Sequence, residues 1–200
     1  MRTPVDPSEP FEVQFEAQAV PHSWFLVAVD LYDQAQVLFA TRTTQQWSLT
    51  GEGPAIKWDG ANRAAFLLGG FALENMIKAF LVYENPSWIS GGKLAKQLKS
   101  HKITHLVNLS TRMPNSSGVQ EILGAFESGL DDWARYPCGS TWEKTKSPHV
   151  LDSDQWYVFI DFFSQCGQKM MELLRERWKG PHAFEGCYTM DGFFEPLANR

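Results

Sequence analysis

One segment constrains this chain more than any other: from Asp59 to Glu84, apolar residues fall on almost every side of a helix. Ala64, Ala65, Phe66, Leu67, Leu68, Phe71, Leu73, Met76, Ile77, Phe80 and Leu81 leave it no polar stripe. A helix that is apolar all round belongs at the centre of a bundle. Asp59 can cap its first turn. Gly69-Gly70, mid-helix, costs up to about 1 kcal/mol per glycine relative to alanine, which predicts a neighbouring helix at close range. The longest uncharged apolar stretch, Ala64 to Leu73, is about half of the ~20 residues a bilayer crossing requires, so no membrane is expected.

Four amphipathic segments are available to surround that helix. His22 to Trp47 carries Trp24, Val27, Leu31, Ala35, Leu38 and Arg42 on one stripe and ends at Gly51-Glu-Gly-Pro54. Lys93 to Leu109 follows, with a break expected near Ser100. Val119 to Tyr136 places Val119, Ile122, Leu123, Phe126, Leu130 and Trp133 on one face, and Pro137 stops it. The last runs from Asp152 or Ser153 to Lys179, with Trp156, Phe159, Ile160, Phe163, Met170, Leu173 and Leu174 inward, ending at Gly180-Pro181. No run alternates as a strand would. The expectation is an all-α, single-domain bundle of about five helices over residues 21–180. An extended segment, 1–20, precedes it. A tail, 181–200, follows, whose Phe184, Tyr188, Phe193 and Phe194 either pack back or meet a partner. Trp24, Trp133 and Trp156 read as core; Trp88, Trp142 and Trp178 remain interface candidates.

Composition narrows the function classes. With 200 residues, 44% hydrophobic and 20% charged, the chain has enough apolar mass for a core and is no disordered polyelectrolyte. Three cysteines without a C-x-x-C pairing support neither a disulfide framework nor a zinc site, and the proline-rich N-terminus is no signal peptide. A reduced, cytoplasmic setting follows. A net charge of −5 rules out a protein that is basic overall, yet the charge is uneven. Asn85 to Gln120 contains no acid and carries Lys93, Lys96, Lys99, Lys102 and Arg112. That segment reads either as a solvated basic face or as a local phosphate-attracting patch. His101 and His105 have the i, i+4 spacing of a two-histidine metal site, but no third ligand accompanies them and lysines crowd them, so neither a metal nor another cofactor is expected. Asp131-Asp132 reads as a solvated face. No phosphate-binding loop, nucleophile elbow or dinucleotide fingerprint occurs.

Three elements together resemble a known family. Gly70-Phe-Ala-Leu-Glu-Asn-Met-Ile-Lys-Ala-Phe-Leu81, then His105-Leu106 with Leu109, then Arg135-Tyr136-Pro137, look like a HEPN domain (higher eukaryotes and prokaryotes nucleotide-binding). Ala72, Glu74, Lys78 and Ala79 fit the central helix of that family. Thr104-His105-Leu106 fits its second element without the usual aspartate, and Arg135-Tyr136-Pro137 fits the third. The physical reading runs beside it. Glu74 and Lys78 make a favourably oriented i, i+4 pair on an otherwise apolar helix. Such a pair needs polar partners, and His105 and Arg135 are the natural candidates.

The resemblance implies a nucleotide- or RNA-binding or partner-binding module in a bacterial toxin–antitoxin or phage-defence system. It also implies a homodimer, in some cases beside a nucleotidyltransferase-like protein. Glu74, Lys78, Lys96, Lys99, Lys102 and Tyr136 would then contact ligand or phosphate. Many family members are instead metal-independent endoribonucleases, in which histidine moves a proton at the ribose 2′-hydroxyl and arginine stabilises the charged phosphorane. For that chemistry the chain offers His101, His105 and Arg135, or Arg177 with His182. Gly180-Pro181 interrupts the second set, so the reading leans away from catalysis. A purely structural interaction bundle is the third alternative.

Overall fold

The computed structural model describes residues 8–41, 45–47, 56–58, 60–114, 118–146 and 153–189. The architecture is all-α, with α3 (Gly60–Glu84) as its central rod. Leu73, Met76, Ile77, Phe80 and Leu81 are fully shielded from solvent. By length and composition alone, Arg63–Glu84 could cross a membrane (mean hydropathy 1.5), but 78% of that window is buried by the rest of the chain. Gly69 and Gly70 have the predicted role. A Cβ on Gly69 would lie 2.8 Å from the Phe126 ring, and one on Gly70 would lie 2.9 Å from Leu130 Cγ.

Three helices wrap the rod: α2 (Pro21–Ala40), α5 (Val119–Ser128) and α7 (Ser153–Arg175). The inward faces of α5 and α7 are those the sequence predicts, down to Trp156 and Leu174. Aromatic rings join them. Phe159 lies 4.8 Å from Phe126, 4.9 Å from Trp156 and 5.7 Å from Tyr32, and Tyr32 stacks on Phe163 at 4.2 Å. Burial pushes the Cys166 thiol well above its usual range, whereas Cys138 and Cys187 are exposed.

Several expectations need correction. The 1–20 segment is not extended throughout, because Phe11–Gln18 forms α1. The helix expected to reach Trp47 stops at Ala40; β1 (Gln45–Trp47) pairs antiparallel with β2 (Ile56–Trp58) instead. Trp47, Ile56 and Trp58 favour the pleated surface of a ladder. In α2 the buried face is Phe25, Ala28, Val29, Tyr32 and Ala35, rotated from the expected stripe, so that Val27 is 43% exposed. Arg42, placed on that stripe, lies outside the described residues.

No single helix runs from Lys93 to Leu109. The chain makes a 3-10 turn at Gln97–Lys99 and only five residues of helix, α4 (Ile103–Val107). Ser100 Oγ accepts the Lys102 N–H at 3.1 Å, a local bond that competes with the helix ladder. At the other end of α5 a π-helical turn, Gly129–Trp133, inserts one extra residue. It carries Asp132 inside (3% exposed), where the carboxylate accepts Ser140 N–H at 2.8 Å and pairs with Lys144 at the start of α6 (Trp142–Lys146). Lys144 holds that carboxyl below its usual range. Asp132 is therefore an anchor rather than a solvated face.

The tail folds back as far as it is described. β3 (Trp178–Lys179) pairs with β4 (Glu185–Gly186), and Tyr188 stacks on His22 at 3.9 Å. Trp178 is buried and donates from Nε1 to the Tyr83 carbonyl at 3.1 Å, so it is not an open interface residue. Phe193 and Phe194 lie outside the described residues.

Candidate functional site

The acid-free segment is held by carboxylates that its neighbours supply. Glu16 of α1 accepts the Gly91 N–H at 2.9 Å. Glu84, at the end of α3, accepts the Thr111 N–H at 2.9 Å and its hydroxyl at 2.8 Å. Glu127 of α5 accepts the Thr104 N–H at 2.8 Å and its hydroxyl at 2.6 Å, satisfying donors of the first turn of α4. Lys102 pairs with Asp131, which raises the pKa of the lysine, and lies 3.9 Å from Glu127. Carboxylates from the bundle therefore clasp a segment that has no acids of its own.

Glu74 of α3 also holds the segment, through His101. Its carboxylate accepts Lys78 Nζ at 2.5 Å on Oε1 and His101 Nδ1 at 2.9 Å on Oε2. Glu74 and Lys78 are each 4% exposed, while the His101 side chain is 63% exposed. The Lys78 ammonium also sits 5.6 Å from the centre of the Trp24 ring, a cation–π contact that helps to offset its burial. A carboxylate oxygen accepts, so His101 donates from Nδ1 in this pair. The expected polar step on α3 is present, but the histidine that joins it is His101, not His105.

His105 stands exposed on α4, and no hydrogen bond joins it to Glu74 or Lys78. Arg135 stays with its own helix end, 5.4 Å from the Tyr136 ring, with Nη1 3.5 Å from the Leu130 carbonyl. Arg63 of α3 does what sequence reasoning did not foresee. Its Nη1 donates to the carbonyls of Trp133 at 2.6 Å and Tyr136 at 2.5 Å, which fixes the Arg135-Tyr136-Pro137 turn from behind. Lys93, Lys96 and Lys99 are exposed and have no ion-pair partner among the described residues. Among those residues no three His, Cys, Asp or Glu side chains converge as a metal site would need.

Arg177 and His182 are drawn to separate acids. Arg177 Nη1 lies 2.9 Å from Glu185, and His182 Nδ1 lies 2.5 Å from buried Glu16. His182 and Ala183 adopt left-handed backbone, with φ of 49° and 58°. The hydrogen bond and charge of Glu16 raise the His182 pKa above its ordinary value. A raised folded-state pKa adds stability below about pH 6.5, and that stability is lost as pH rises through the folded value. In melting curves recorded across a pH series, wild type should therefore exceed His182→Ala on the acid side and converge with it at alkaline pH. A constant gap would show that the His182 charge contributes nothing.

Comparison with family models, with curated proteins and with solved structures finds no match to this chain. The site must be read from its own chemistry.

Proposed function

We propose that this chain is a binding module for phosphate-bearing ligands, nucleotides or single-stranded RNA. The observation that carries the reading is the contrast inside one segment. Its backbone and Lys102 are tied down by neighbouring carboxylates, while Lys93, Lys96 and Lys99 are left exposed without an acid. A loop held in place presents cations with less ordering cost than a free one, and a local positive edge attracts a polyanion even on an acidic protein. His101, oriented by Glu74, adds a directional group beside it. On the HEPN resemblance, the module would work as a homodimer in a toxin–antitoxin or phage-defence setting, with a nucleotidyltransferase-like protein as a partner.

The test is a salt series. Labelled single-stranded RNA should bind wild type with an affinity that falls linearly on a log–log salt plot. In Lys96→Glu/Lys99→Glu the slope should shrink by about 1.4, from two phosphate contacts at roughly 0.7 each. Unchanged affinity and slope in the folded double variant would remove the basic edge from the reading. A second reading, metal-independent RNA cleavage, has one observation behind it: Glu74 holds His101 by Nδ1, and the imidazole is otherwise exposed beside the basic edge. Running the bound RNA on a denaturing gel in chelator, with His101→Ala beside wild type, separates cleavage from binding.

A further inference from the structure

A groove of about 280 Å³ opens between α1, α2 and α3, with Leu94 of the basic segment on its rim. Phe15, Ala19, Trp24 and Val27 make its walls apolar. Phe11, one turn before Phe15 on α1, prolongs that wall and is 76% exposed. A dry cavity of about 150 Å³ already takes up benzene, so the groove has room for an aromatic ring. Its rim is cationic beside Leu94. Lys93 and Lys96 flank that residue, both exposed and neither paired with an acid among the described residues. The occupant that suits this groove brings large apolar side chains with negative charges on either side of them.

The chain itself carries such a run. Residues 190–200 read Met-Asp-Gly-Phe-Phe-Glu-Pro-Leu-Ala-Asn-Arg, with Phe193-Phe194 between Asp191 and Glu195. They lie outside the described residues, and the described chain ends close to the groove. Tyr188 stacks on His22 at 3.9 Å, and its backbone N–H donates to the Leu174 carbonyl at 2.7 Å. His22 stands two residues before Trp24 of the groove wall. Phe194 comes five residues after Thr189, a reach of about 17 Å when extended. From His22 to Val27 the helix rises about 7.5 Å and is about 12 Å wide, so a straight span of about 14 Å crosses it.

We propose that Phe193-Phe194 dock in this groove, with Asp191 and Glu195 against Lys93 and Lys96. The tail is then an autoinhibitory strap. It covers two of the three cations that the phosphate-binding reading leaves open, and its effect on ligands rests on that reading. A short tether gives an effective concentration of about 1 mM, so a contact with a Kd of about 0.1 mM in trans keeps about 90% of molecules closed.

Photocrosslinking tests the docking in the whole chain, with p-benzoylphenylalanine installed in place of Phe194. Peptide mapping should find the link within one chain, at Phe15, Trp24, Val27 or Leu94. Val27→Glu, at a position already 43% exposed, should lower the yield severalfold, as should Lys93→Glu/Lys96→Glu. Thermal melts confirm that each variant is folded. In a separate titration, Phe193→Ser/Phe194→Ser should tighten binding of labelled single-stranded RNA by about 3- to 10-fold, as expected when about 70–90% of molecules are closed. No link, or a link elsewhere on the chain, would overturn the docking. A covalent dimer would assign the groove to a second copy and overturn it too. The expected link with no RNA binding by any variant would leave the tail in its groove and overturn the phosphate-binding reading. The expected link with RNA affinity unchanged by Phe193→Ser/Phe194→Ser would overturn the autoinhibition.

Discussion

Replacing Glu74 with alanine should cost about 3–5 kcal/mol of folding stability, as much as truncating a large core side chain. The reason is the group left behind. Lys78 is 4% exposed, and its Nζ has Glu74 Oε1 at 2.5 Å as its anionic partner. Without that carboxylate a cation would remain in an apolar helix interface, with the Trp24 ring as weak compensation. A domain stabilised by roughly 5–15 kcal/mol would lose a large share of its margin. Removing both charges behaves differently. Glu74→Leu/Lys78→Met should return close to wild-type stability or exceed it, because a buried ion pair costs more desolvation than a well-packed apolar pair of similar volume. His101 would lose a partner, but at 63% side-chain exposure that contact contributes little. Urea unfolding of both single variants and the double variant measures the coupling. A Glu74→Ala cost under about 1 kcal/mol would mean that water reaches Lys78.

The parts of this fold that the sequence announces are those fixed by long periodic faces. The all-round apolar α3, the inward faces of α5 and α7 and the close approach at Gly69-Gly70 need only helical spacing and side-chain size. The rotation of α2 was not legible. That helix offers two overlapping apolar stripes, and only packing of Tyr32 against Phe163 chooses the one through Phe25 and Val29. Burial of Asp132 was equally hidden, since the π-turn at Gly129–Trp133 breaks the 3.6-residue period from which faces are counted.

The polar site was half legible. Glu74 and Lys78 are four residues apart on an apolar helix, and no long-range information is needed to pair them. Their third member comes from non-helical chain 27 residues beyond Glu74, where no periodic rule applies. The run from Asn85 to Gln120 was legible as charge but not as structure. Its anchors, Glu16, Glu74, Glu84 and Glu127, all lie outside it in sequence. Sequence spacing therefore finds pairs within a helix and misses clasps between elements.

Phe159→Ala should be the most damaging single truncation in the core, costing about 3–5 kcal/mol and leaving a cavity that its surroundings cannot close. The ring is fully buried where four helices meet. Tyr32 of α2 and Phe126 of α5 lie 5.7 Å and 4.8 Å from it, and its Cζ is 3.4 Å from where a Cβ on Gly69 of α3 would stand. Collapse into the vacated space would need α3 or α5 to shift. Gly69 has no side chain to lend, and the Phe126 ring already fills the gap above it. Two residues away on the same helix, Tyr157 is 62% exposed, and Tyr157→Ala should stay within about 0.5 kcal/mol of wild type. Chemical unfolding of the two variants supplies the comparison. Benzene supplies a second readout, because a dry apolar cavity takes it up and the melting temperature of Phe159→Ala alone should rise with benzene concentration. A loss under about 2 kcal/mol with no response to benzene would mean that the four-helix junction repacks, and that the aromatic cluster is not the rigid centre of this bundle.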